Sequence, residues 1–210
     1  MTLAFLDDLI ASRSLLKHPF YVRWSAGELT RDDLKIYAKE YYHLVQRVPG
    51  IVSRVKERAP VQMQSRIGEN VREETEHIAL WERFASSLGI SKEELDEYHP
   101  CSRVVAAVRL LEELAETSFE DGVVAMYALE RELPAIAQTK KDGLMKFYGL
   151  SSEDAQAYFD EHLGEEKHLD VWRHVFVPEE QAISSALDSL HAQNSVLDGV
   201  CIEAGIALHC

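Results

Sequence analysis

Glu74-Thr75-Glu76-His77-Ile78-Ala79-Leu80-Trp81 and Glu165-Glu166-Lys167-His168-Leu169-Asp170-Val171-Trp172 share one pattern. Each has an acid, a histidine three residues later, and then apolar or aromatic residues. On an α-helix, positions i and i+3 lie on one face, so both side chains can reach a common ion. Two Glu-x-x-His motifs on facing helices, with a Glu from each of two others, build dinuclear iron or manganese centres inside helical bundles. Carboxylates bridge two cations and cancel their charge, while imidazole favours iron or manganese over magnesium. One such motif arises by chance on the solvated face of an acidic chain. Two, each running into apolar residues, point to helices whose motif faces look inward.

The rest of the chain fits that reading. Its 10 Gly and 6 Pro are spread singly, mostly where apolar periodicity breaks, and no period-two run between turn residues predicts a sheet. Thr2 is placed to cap a first helix that ends at His18-Pro19, because the residue before proline avoids the helical region. A short helix follows from Phe20 to Gly27. Thr30 to Asp33 resembles a capping box with Asp for Glu, opening a helix through Tyr37, Tyr41 and Tyr42 that Pro49-Gly50 should kink. The next helix runs from about Val61 to Leu88. Ser91 to Glu94 is a second capping box, Pro100 opens a helix to about Glu116, and Ser118 caps one expected to reach past Pro134. Ser151 and Ser152 start another that ends before Pro178, and a last helix spans roughly Glu179 to Val200. The expected architecture is one domain, residues 1–210, of about seven or eight helices with short connections, the last ten residues or so forming a mobile tail.

Charge narrows the function. The 210 residues carry 22 Lys+Arg against 36 Asp+Glu, a net charge of -14, and such a surface repels phosphate backbones and anionic lipids. Nucleic-acid and membrane-surface partners are therefore not expected. No stretch approaches the roughly 20 apolar residues of a bilayer span. Asp7 and Asp8 interrupt the apolar start, which does not read as a signal peptide, so a cytoplasmic location is expected. Cys101, Cys201 and Cys210 do not make a disulfide framework, and the last two read as ordinary thiols near the terminus. No Gly-rich phosphate loop, G-x-S-x-G or C-x-x-C motif is present.

Three further features bear on chemistry. Glu130 ends the apolar run Val123 to Leu129, where a carboxylate is costly to bury unless paired or metal-bound. It also reads as the first exposed residue before Arg131 and Glu132. Tyr21, Tyr37, Tyr41 and Tyr42 fall within 22 residues, and Tyr37 and Tyr41 share a helix face. They fit hydrogen-bonded core residues, or phenols placed for oxidation near a metal. Lys140 is a surface lysine unless its helix turns it inward. In an unbroken helix, Glu161, Glu165 and His168 form one stripe that would leave His162 off the site.

Five segments resemble a known family. They are residues 18–30 (His-Pro-Phe-Tyr-Val-Arg-Trp-Ser-Ala-Gly-Glu-Leu-Thr), 37–42, 77–81, 129–137 and 157–162. The family is that of the chlamydial protein associating with death domains and its bacterial relatives, within the heme-oxygenase-like, thiaminase-II-like superfamily. The resemblance implies an all-α heme-oxygenase-like bundle. It also implies a dinuclear metal centre, Fe/Fe or Fe/Mn, that uses O2 and an external reductant to make 4-aminobenzoate for folate synthesis from one of the protein's own tyrosines. Carried over by motif, the ligands would be Glu74, His77, Glu130, His162, Glu165 and His168. Tyr21 would be the consumed tyrosine and Lys140 the amino donor, with Tyr37 and Tyr41 nearby. The family spaces its last ligands as His-x-x-x-Asp-x-x-His. Here the run is His162-x-x-Glu165-x-x-His168, with Gly164 in the gap available for a local irregularity. Expected partners are a second copy of the chain and, by family analogy alone, a death-domain protein. The competing readings are a dinuclear oxidase acting on a free small molecule, a metal-free helper enzyme, and a non-enzymatic interaction protein.

Overall fold

The computed structural model describes residues 2–164 and 166–208, without the side chains of Glu166 and Lys167. Eleven α-helical segments are seen among the described residues, and no strand. They are α1 (Asp7–Ser12), α2 (Pro19–Ala26), α3 (Arg31–Arg58), α4 (Val61–Ser87), α5 (Lys92–Glu97), α6 (Ser102–Thr117), α7 (Phe119–Glu130), α8 (Leu133–Phe147), α9 (Glu153–Glu161), α10 (Glu166–Arg173) and α11 (Glu179–Glu203). The all-helical expectation holds. The higher count arises because two expected helices are each split in two, α7 from α8 and α9 from α10, and because the short helix α5 stands by itself.

The expected caps at Thr30, Ser91, Ser118 and Ser152 all form. Thr30 with Asp33 and Ser91 with Glu94 make full capping boxes, satisfying orphan N–H groups from both directions. Ser118 accepts from Asp121 N and Ser152 from Ala155 N. Thr2 does not cap with its side chain. A 3-10 turn, Leu3–Leu6, leads into α1, and a second, Leu15–Lys17, precedes α2. His18 caps α2 instead, its Nδ1 accepting from Phe20 N at 3.2 Å. Pro49 lies inside α3 without interrupting it.

The helix expected to pass Pro134 stops at Glu130, and α8 starts at Leu133. Pro134 has no N–H to offer the Glu130 carbonyl four residues back, and its ring would clash with it. It sits instead in the first turn of α8, where the missing donor costs nothing. The break leaves Glu130 as the last residue of α7. The chain also breaks between α9 and α10, through a 3-10 turn at His162–Gly164. At the C-terminus, α11 runs to Glu203 rather than Val200. Cys201 is thus a buried helical residue and not part of a loose tail, and Cys210 lies outside the described residues.

α3 packs along α4 and α6, and α11 lies against α6, α7 and α3. α9 closes over α4 and α8, while α10 bridges α7 and α4. One continuous apolar core results, including Trp24, Trp81, Trp172, Phe20, Phe84 and Phe159. The inner faces of α3, α4, α7 and α10 meet on one side of it, and the site lies there.

Candidate metal centre and tyrosine cage

α4 is regular across its motif, so Glu74 and His77 are both buried on its inner face, with His77 Nδ1 3.3 Å from Glu74 Oε2. Across from them His168, from α10, sets Nδ1 3.6 Å from Glu74 Oε1. Glu130 is 1% exposed, so its reading as a first surface residue fails. Its Oε2 accepts from Trp172 Nε1 at 2.7 Å. Ligand-type atoms of Glu74, Glu130 and His168 all lie within 4.8 Å of one another.

The 3-10 turn settles where His162 points. It is 3% exposed, with its ring centroid 4.6 Å from that of His77. His162 Nδ1 lies 2.6 Å from the Tyr158 carbonyl. A carbonyl only accepts, so Nδ1 carries the proton and the ring lone pair sits on Nε2. Glu161, its competitor in an unbroken helix, is exposed instead. The turn does not depend on glycine, because Gly164 is not among the residues with positive φ. Expected ligand Glu165 lies outside the described residues.

Burial pushes the Glu74 carboxyl up, but the His77 hydrogen bond and the charges of His77, His162 and His168 outweigh it and hold it below the usual range. Two buried carboxylates and three imidazoles, two of them donors to or neighbours of one carboxylate, are a donor set suited to a transition-metal centre. The residues present fit such a centre.

Two spaces of opposite character flank the cluster. On one side is an open cleft of about 660 Å³ whose lining includes Glu73, Glu76, Asp160 and Glu161. Glu73 contacts His168 Nε2 there. On the other side is a void of about 30 Å³, bounded by Glu74, Glu130, His162, Tyr41 and Tyr158 and by aliphatic side chains of α3 and α7.

Next to the cluster stands a cage of aromatic rings around one amine. α8 buries the stripe Ile136, Ala137, Lys140, Gly143 and Leu144, which carries Lys140 inward to 2% exposure. Its Nζ lies 4.9 Å from the Tyr41 ring centroid, 5.3 Å from Tyr37, 5.4 Å from Phe159 and 5.5 Å from Tyr21. Burial lowers its pKa to about 7, so about half of these amines carry a free lone pair at neutral pH and most do above it. Trp24 Nε1 donates to the Lys140 carbonyl at 3.2 Å and braces α2 on α8. That approach needs Gly143, where a Cβ would lie 2.4 Å from Trp24 Nε1.

The three phenols are protonated at neutral pH. Burial and their neighbours' charges push Tyr21 and Tyr37 well above the ordinary value; burial and Glu74 raise Tyr41 to about 12. The Tyr21 and Tyr37 hydroxyls lie close enough to perturb each other's ionisation. Tyr37 and Tyr41 pack at 5.2 Å, and Tyr41 stacks on Trp81. As the tyrosine that the resemblance implies is consumed, Tyr21 would be expected to open on the same cavity as Glu130. The void beside Glu130 is lined by Tyr41 and not by Tyr21.

Residues 8–201 match the TENA/THI-4/PQQC family. The chain belongs to that family. The resemblance drawn from its motifs is borne out: a 4-aminobenzoate synthase of Chlamydia muridarum is 35% identical over 163 residues, 75% of this chain and 69% of that protein. Among solved structures, a domain with a heme oxygenase-like fold from Shewanella denitrificans superposes with TM-score 0.83 at 18% identity, covering 100% of this chain and 98% of that one. A CADD-like protein from Nostoc punctiforme gives 0.73 at 18%, covering 96% and 98%. These two structures share the fold, and this TENA/THI-4/PQQC chain is the heme-oxygenase-like bundle expected of it.

Motif reading of this family member missed several residues that shape the site. Trp172 appeared only as an apolar follower of the second motif, yet its N–H holds Glu130. Tyr158 packs on His162 at 4.4 Å and supplies the carbonyl that sets its tautomer. Phe159 closes the cage over Lys140. The available signal was their position, since both aromatics lie in the segment that ends at His162.

Proposed function

We propose that this protein is a 4-aminobenzoate synthase that draws the product's ring from its own Tyr21 and the nitrogen from Lys140. A two-metal centre, Fe/Fe or Fe/Mn, would be held by Glu74, His77, Glu130, His162 and His168, with Glu165 as the sixth ligand. Relatives matching three quarters of the chain are named 4-aminobenzoate synthases, which supports the activity. The observation that carries the internal source is the cage. A buried amine lies against the rings of three phenols, and one of these, Tyr41, also lines the void beside Glu74 and Glu130.

When bound, the metals supply the oxidising power of O2, drawn on with electrons from an external reductant. The chain's own residues do the rest. Burial excludes water from the phenols and keeps their hydroxyls protonated until an electron is withdrawn, so proton and electron must leave together. Tyr41, whose ionisation already responds to Glu74, is placed to pass a phenolic proton towards that carboxylate. Lys140 Nζ, neutral over much of the physiological range, offers its lone pair to the ring of Tyr21. His162 and His168 present ring nitrogens oriented by the Tyr158 carbonyl and the Glu73 carboxylate.

The test is protein purified without oxygen, loaded with metal and then exposed to O2 and reductant. Wild type should release at most one 4-aminobenzoate per chain and lose mass in the peptide containing Tyr21. Tyr21→Phe keeps the ring volume and should retain metal and consume O2, yet release little or no product. Undiminished product from Tyr21→Phe would move the source to Tyr37 or Tyr41. Many product equivalents per chain would defeat self-consumption.

A further inference from the structure

Two acids, Asp7 and Asp8, interrupt the apolar start of the chain, and they part ways in the fold. Leu3, Leu6 and Ile10 bury the segment on the bundle. Asp8 is exposed, whereas Asp7 is half-buried against the end of α7. There Asp7 Oδ1 accepts from the Tyr127 hydroxyl at 2.6 Å, and Oδ2 accepts from Arg131 Nη2 at 2.9 Å. Tyr127 itself is fully buried. Burial pushes the Asp7 carboxyl up, but the hydrogen bonds from Arg131 and Tyr127 and the charges of Arg131 and Arg173 outweigh it and hold it below the usual range. Asp7 is thus a carboxylate at neutral pH, and it feels cations from the ends of both α7 and α10.

This contact falls where α7 is weakest. The last turn of a helix has carbonyls without intrahelical partners, and it frays first. Glu130 is the last residue of α7, and Pro134 brings no N–H to its carbonyl. Tyr127 and Arg131 bracket Glu130 and, four residues apart, lie on one face, so a single carboxylate bonded to both spans the whole last turn. The Arg131 N–H closes the same turn on the Tyr127 carbonyl at 3.0 Å. Trp172, the neighbour of Arg173, holds the Glu130 carboxylate from α10. We propose that Asp7 is a positioning residue for Glu130: through Tyr127 and Arg131 it closes the last turn of α7 and fixes the carboxylate that faces Glu74 and His168. It acts through these two side chains and not on the ions. Its consequence for metal affinity rests on the two-metal reading, while its closing of the turn needs no metal.

Two readouts on the full chain separate positioning from bulk stability. Asp7→Asn keeps the side-chain shape and removes the charge. In metal-free protein, amide hydrogen exchange at residues 128–131 should then quicken roughly tenfold, with little change at residues 119–123 at the start of α7. Anaerobic titration with Fe(II) should show binding roughly fivefold weaker or more, since groups that orient ligands carry effects of that order. Asp8→Asn removes the same charge from the exposed neighbour and should leave both readouts within about twofold of wild type. Asp121→Asn loosens the opposite end of α7, where Asp121 accepts from Ser118, Gln181 and Ser185. It should lower Tm yet keep Fe(II) affinity within about twofold. Wild-type affinity in Asp7→Asn would overturn the proposal, as would an equal loss of affinity in Asp121→Asn at a matching Tm. Unchanged exchange at residues 128–131 would overturn the closing of the turn. A wild-type protein that takes up no Fe(II) would overturn the two-metal reading instead, and the exchange measurement would then decide the role of Asp7 alone.

Discussion

Replacing Lys140 with methionine should stabilise this protein, and the gain should vanish as the pH rises. Burial lowers the Lys140 pKa from the ordinary 10.5 to about 7. At about 1.36 kcal/mol per tenfold change in acidity, that gap is on the order of 5 kcal/mol. The sign follows from proton counts. Between about pH 7 and 10.5 the unfolded chain holds a proton on this amine that the folded chain has released. Stability therefore rises with pH across that window. Its contribution is fully present above 10.5 and is lost as the pH falls to 7, below which both states are protonated. Methionine has similar length and no charge, so Lys140→Met removes the whole dependence. Urea unfolding of both proteins at pH 7, 8, 9 and 10 isolates it, because other titrating groups are common to the two. Lys140→Met should lead by roughly 5 kcal/mol at pH 7 and by roughly 1 kcal/mol or less at pH 10. Parallel stability curves, or a lead that grows with pH, would refute the buried-amine argument. So would a wild-type Lys140 side chain that titrates near 10 by NMR.

Two other consequences concern packing. Trp172→Phe deletes the N–H that holds Glu130 Oε2 and should cost about 1.5–3 kcal/mol, lowering Tm by about 3–12 °C in a calorimeter. Gly143→Ala and Gly164→Ala make an opposed pair. The first drives a Cβ to 2.4 Å from Trp24 Nε1 and should cost about 1–3 kcal/mol by urea unfolding. The second meets nothing within 4 Å and no positive φ, so stability should stay within about 0.5 kcal/mol and metal uptake should not change.

Local sequence determined a large part of this protein. The i, i+3 spacing puts Glu74 and His77 on one face wherever α4 goes, and the Thr30 and Ser91 boxes fix where α3 and α5 begin, because those bonds close within one turn. Pro134 fixes the end of α7 at Glu130 through a missing N–H four residues on, a signal present in the sequence though the helix was expected to run past it. Contacts between segments far apart decided the rest. Residues 161–168 suit an unbroken helix presenting Glu161 and a broken one presenting His162 about equally well. The 3-10 turn, with His162 beside His77 and Tyr158, selects the second. Lys140 is polar by type, yet α8 buries it because Ile136, Ala137 and Leu144 on the same stripe gain more from the core than the neutral amine loses. Tyr21 and Tyr41 come together around Lys140 because α2, α3 and α8 meet there. Helical periodicity sets which residues share a face, but which face meets which is settled only when the faces pack.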